Sequence, residues 1–142
     1  MAMRAIASAV LLSALLTAGC SSSPTTPAST TPATPTTELF TGSLALKDST
    51  FYSFTVVQKS NVFLTLASLT VADPGPAVSI PLNLGLGVPA GIGCALTQSL
   101  TVPPMLTPQI GVTLDPGIFC VSIQDVGNLT SPVNFAIRIV HQ

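Results

Sequence analysis

Charge is what this sequence has least of. Only 6% of its 142 residues are Asp, Glu, Lys or Arg, and the formal net charge is −1. Beyond Arg4 the chain carries Lys47, Lys59 and Arg138 against Glu38, Asp48, Asp73, Asp115 and Asp125. With no basic stripe to gather phosphates, nucleic acid is not an expected partner. Histidine is equally scarce, since His141 is the only one. A Ser–His or Cys–His catalytic pair, or a histidine-rich zinc site, would rest on that side chain, one residue from the end. Chain ends fray, so it is a poor place to hold a base in geometry. The acids stand singly with no D-x-D cluster, so the spacing offers neither a glycosidase-type carboxylate pair nor a compact calcium loop. No residue is therefore assigned as catalytic.

What the sequence does have is alternation. In the stretch Pro116–His141, Phe119, Val121 and Ile123 alternate with Cys120, Ser122 and Gln124, and Val133, Phe135, Ile137 and Ile139 with Asn134, Ala136 and Arg138. A period of two predicts two strands, each with one buried face, read here as a final hairpin. Earlier strands must cover that face. Candidates are Glu38–Leu46, Phe51–Val57, Asn61–Val71 with a kink at Ala67-Ser68, Val78–Leu86, Ile92–Gln98, Leu100–Val102 and Ile110–Leu114. Asp73-Pro74-Gly75-Pro76 and Asp115-Pro116-Gly117 are turn signals, and Pro81 is tolerated in a strand only at an edge or bulge. Gly85–Gly93 reads as an irregular glycine-rich loop. It lacks the Lys-Ser/Thr and the helix that a phosphate-cradling loop needs. About eight short strands separated by turns, with no helical period beyond the leader, predict an all-β antiparallel sandwich.

The first residues are different. Ala5–Leu16 is an apolar run too short to span a bilayer and of the length of a signal-peptide core. It ends in Leu16-Thr17-Ala18-Gly19-Cys20, which resembles the lipobox of bacterial lipoproteins. The resemblance implies a signal peptide over 1–19, a diacylglycerol thioether on Cys20 and acylation, such as palmitate, of the new amino terminus. Thr17 departs from the usual Leu three places before the cysteine. Two or more acyl chains anchor stably where one holds marginally. Ser21 after the cysteine implies a bacterial cell-envelope location, at the outer rather than the inner membrane. Residues 20–37, rich in Ser, Thr and Pro, have no apolar pattern and read as a disordered tether with polyproline-II character. At about 3.1 Å per residue that tether would reach on the order of 50 Å.

The remaining segment, 38–142, carries a second resemblance. Phe40-Thr41-Gly42-Ser43-Leu44, Tyr52-Ser53-Phe54-Thr55-Val56 and Val62-Phe63-Leu64-Thr65-Leu66 come in order, followed by Leu114-Asp115-Pro116-Gly117-Ile118-Phe119-Cys120-Val121 and Asp125-Val126-Gly127. The set resembles the bacterial pre-peptidase C-terminal domain. The resemblance implies a jelly-roll β-sandwich, whose relatives include calcium-dependent collagen-binding modules and appendages of exported proteases. It thus implies a non-catalytic binding, adhesion or structural module whose partner is an extracellular polymer or an envelope protein. The alternatives are an accessory subunit of an exported hydrolase, or a hydrolase itself.

With Cys20 lipidated, Cys94 and Cys120 remain as an even pair in an oxidising compartment and are expected to form a disulfide. The bridge would contribute roughly 3 kcal/mol in the chain-entropy model. Cys120 alternates with Phe119 and Val121, so the bridge should pin the glycine-rich segment to the outside of the sheet. Asp125, at the turn Val126-Gly127-Asn128, is expected to accept backbone N–H bonds and fix that turn. Asp48, Asp73 and Asp125, with Glu38, are the candidate ligands should calcium bind. No other cofactor is expected.

Overall fold

The computed structural model describes residues 34–72 and 75–142. The leader, Cys20, the tether up to residue 33 and Asp73 lie outside the described residues. The described chain forms eight strands: β1 Thr36–Leu44, β2 Ser49–Val56, β3 Ser60–Val71, β4 Leu82–Ala90, β5 Gly93–Val102, β6 Ile110–Leu114, β7 Gly117–Gln124 and β8 Val133–His141. They make two four-stranded sheets of order β1-β8-β3-β6 and β2-β7-β4-β5, with antiparallel neighbours throughout. Successive strands switch sheet at every connection except β4–β5, which is the jelly-roll arrangement of a sandwich.

The core lies between the sheets. Leu64, Leu66, Ile137 and Ile139 from β3 and β8 face Leu84, Leu86, Val121 and Ile123 from β4 and β7, all essentially without solvent exposure. Each such side chain contributes on the order of 1.5–3 kcal/mol by leaving water. Their partners one residue away point outward, as the alternation requires.

Four features differ from the sequence reading. The last two strands are not a hairpin: β7 and β8 belong to opposite sheets, and Asp125–Pro132 arches between them. Alternation specifies a buried face but not the neighbour that pairs along the edge, so it fits either arrangement. β1 takes in Thr36 and Thr37, because His141 and Val140 pair with them. The strand read at Val78–Leu86 starts at Leu82, immediately after Pro81, which has no N–H to give a ladder. Before it, among the described residues, Ala77 alone forms a bridge, to Thr70. Finally, β4 runs straight through the glycine-rich segment and returns as one continuous β5 around a two-residue turn, Gly91-Ile92. Gly91 has φ 58°, as the first position of such a hairpin turn demands.

The kink expected at Ala67-Ser68 is present as a bulge, where the β3–β8 register shifts between Leu66 and Ser68. Beyond the short β6, the free edge of β3 is closed by the β5–β6 connection. Gln109 accepts from Leu66 N–H and donates to the Leu66 carbonyl, standing in for a strand, and Met105 N–H donates to the same carbonyl.

Candidate functional site

Three polar constructions stand out from the apolar sandwich, and the first is a corner. Asp125 is 3% exposed. Its Oδ1 accepts N–H bonds from Gly127, Asn128 and Leu129 at 2.9, 2.8 and 3.1 Å, and its Oδ2 accepts from Lys47 N–H at 2.8 Å. Burial pushes the carboxyl pKa up, but these four donors outweigh it and hold the group below its ordinary value. Asp125 N–H also donates to the Asp48 carbonyl at 3.0 Å. The carboxylate therefore ties the β7–β8 arch to the β1–β2 turn, where Lys47 adopts φ 58°. Both of its oxygens are already engaged by N–H donors, which take the place a cation would occupy. Asp48 is exposed and accepts from Ser49 N–H. Among the described residues no three His, Cys, Asp or Glu side chains converge as a metal-binding group.

The second construction is at the sandwich edge where β1 and β2 face each other. His141 is not frayed. It is the inward-facing end of β8, 5% exposed, with Nε2 at 2.8 Å from Glu38 Oε1 and its ring tilted against Phe54. Tyr52 donates its hydroxyl to Glu38 Oε2 at 3.2 Å and stacks on Phe40. That bond and the Glu38 charge, with a smaller contribution from burial, raise the phenol pKa above its ordinary value. His141 Nδ1 is buried with no hydrogen-bond partner, so among the described residues neither ring nitrogen is bonded to a hydroxyl or thiol. The result is a cross-sheet clasp that closes the open edge.

The third construction is the disulfide and what it shapes. Cys94 on β5 is bonded to Cys120 on β7, although β4 lies between those strands. Two strand spacings amount to about 9.5 Å, yet the two Cα atoms are 5.9 Å apart. The beginning of β5 must therefore lean over the outer face of β4. The glycines of β4 make this close approach sterically allowed. A Cβ on Gly87 would sit 2.1 Å from the Ala95 carbonyl oxygen, and one on Gly85 would meet the Leu96 methyls at 2.8 Å. A bulge in β5 at Thr97, whose hydroxyl donates to the Leu86 carbonyl, supplies the extra bend.

This overhang makes a cleft of about 460 Å³ on the outer face of the β2-β7-β4-β5 sheet. The floor is formed by Ser49 and Phe51 of β2 with Ser122 and Gln124 of β7, which pair across the ladder as Ser49 with Gln124 and Phe51 with Ser122. The wall is Ile92, Cys94 and Leu96. Phe51 is 38% and Ile92 101% exposed, so apolar surface is offered to solvent beside hydroxyls and an amide. No ionisable side chain is among the described residues that line it. As expected, the bridge lies on the outside of the sheet, but it pins a strand rather than a loop. The floor residues were not picked out in the sequence. Their outward alternation with Val121 and Ile123 was visible, whereas their meeting with Phe51 and Leu96 depends on strand pairing.

No family model matches the sequence, and a search of the curated proteins finds no significant match.

Proposed function

We propose that the protein is a lipid-anchored β-sandwich of the bacterial cell envelope that acts as a non-catalytic binding module. On this reading Cys20 is acylated, residues 21–35 hold the sandwich clear of the membrane, and the cleft beside the disulfide is the contact surface. The observation that carries it is the cleft itself. It has the size of a small-molecule or polymer-segment site, about 300–1,000 Å³, and the described residues that line it bring hydroxyls, an amide and a phenyl ring but no acid or base to move a proton. The sandwich architecture is consistent with the resemblance to the pre-peptidase C-terminal domain. The lipobox-like Leu16–Cys20 supports the anchor, and the disulfide suits an oxidising compartment.

The test uses full-length protein extracted from membranes. Intact mass should show loss of residues 1–19 together with added acyl chains, and an unmodified amino-terminal peptide would refute the anchor. Panels of ester, amide and glycoside substrates should give no turnover. Hydrolysis that disappears in His141→Gln would make the Glu38–His141 pair an active site and the binding reading wrong.

A further inference from the structure

Resting on the binding-module reading, we propose that the cleft on the outer face of the β2-β7-β4-β5 sheet takes a short segment of an uncharged polysaccharide. Three observations select that chemistry.

The first is charge. With no ionisable side chain among the described residues that line the cleft, an anionic or cationic polymer would lose water there without gaining a counter-charge. A neutral ligand bears no such cost.

The second is the state of the backbone. Ser122 and Gln124 lie on β7, which pairs with β2 on one side and β4 on the other, so their N–H and C=O groups are taken up within the sheet, whereas β2 is its edge strand. A peptide strand adds along an edge such as β2, in the plane of the sheet, and not on the face where the cleft lies. Recognition must go through side chains.

The third is what those side chains offer. Ser49, Ser122 and Gln124 present two hydroxyls and a carboxamide, each able to donate and to accept. None of the three side chains takes part in an intramolecular hydrogen bond among the described residues. Sugar hydroxyls are likewise donors and acceptors at once. Beside them lies Phe51, whose ring has a negative face that attracts the polarised C–H groups on one side of a pyranose. Leu96 and Ile92 form the opposite wall, held there by the Cys94–Cys120 bridge. A cleft with an apolar platform and unspent hydroxyl partners fits a saccharide ring, which is flat on its faces and polar at its rim.

The experiment is titration calorimetry of full-length, detergent-extracted protein. The probes are soluble neutral polymers (laminarin, mannan, galactan and chitin oligosaccharides), with polygalacturonate and a soluble collagen peptide as comparators. At least one neutral saccharide should bind and the comparators should not. Phe51→Ala should weaken binding at least 10-fold and Gln124→Ala several-fold, while Ile118→Ala, exposed on the same sheet face outside the cleft, should leave it unchanged. Thermal denaturation of each variant establishes that the sandwich is intact. No binding to any neutral saccharide overturns the proposal, as does binding that both Phe51→Ala and Gln124→Ala leave intact. Binding to polygalacturonate or collagen alone also overturns it while leaving the binding-module reading in place. Hydrolysis of the bound saccharide would overturn that reading as well.

Discussion

Asp125 shows how much one side chain can organise in a protein with so few charges. It is buried, yet its two oxygens take four backbone N–H bonds from two separate turns. Asp125→Asn keeps an acceptor toward Gly127–Leu129 but turns an N–H toward Lys47 N–H. Unfolding in urea should show a loss of about 2–3 kcal/mol, the scale of a charge-assisted bond replaced by a clash of donors. The pH dependence has a defined sign. Because the folded-state pKa lies below the unfolded value of about 3.9, the stabilisation is complete above that value. It is lost as pH falls through the folded pKa. The wild-type protein should therefore lose stability below about pH 4 more steeply than Asp125→Asn. Parallel acid limbs for the two proteins would count against this account.

At the scale of the element, β4 is the strand whose composition disguises it. Asn83, Gly85 and Gly87 occupy its outward positions between Leu82, Leu84 and Leu86, and small residues are required there because β5 folds over them. The two glycines are not equivalent. A methyl on Gly87 collides with the Ala95 backbone, which can move only if the overhang and the disulfide move with it. A methyl on Gly85 meets the mobile end of Leu96. Gly87→Ala should cost about 2–3 kcal/mol, as overpacking against backbone does, and Gly85→Ala less than about 1.5. Urea denaturation of the two variants measures the difference, and equal costs would mean that the close approach of β5 to β4 is not what selects glycine. The Gly91-Ile92 turn could have been recognised from the sequence as a hairpin signal, because Gly at the first of two central positions suits the required φ. The density of neighbouring glycines concealed it.

For the whole molecule, the bridge between Cys94 and Cys120 links the β4–β5 hairpin to a strand at the centre of the sheet, over a separation of 26 residues. Replacing both cysteines by serine should lower stability by about 3 kcal/mol and the Tm by roughly 10–20 °C. It should also loosen the cleft wall. Alkylation of the folded protein without reductant should label neither Cys94 nor Cys120, and labelling of both would contradict the bridge. The exposed Lys59–Asp115 pair, 3.1 Å apart, should contribute little by comparison. High salt should accordingly leave the Tm of this weakly charged sandwich almost unchanged.

The sequence by itself determined the all-β class, about eight strands, the buried faces of the last two, the bulge near Ala67, the pairing of Cys94 with Cys120 and the capping role of Asp125. All of these follow from local information: a period of two, a turn-forming residue, two cysteines within the strand-forming segment. Only the tertiary structure decided which strands are neighbours, and so that β7 and β8 lie in opposite sheets, that His141 meets Glu38 across 103 residues, and that Phe51 and Leu96 face one another over Ser122. Side-chain alternation records which face of a strand avoids water. It carries no record of which strand lies alongside, because edge pairing is made by backbone groups that every residue except proline shares. The cleft exists only once that pairing is made.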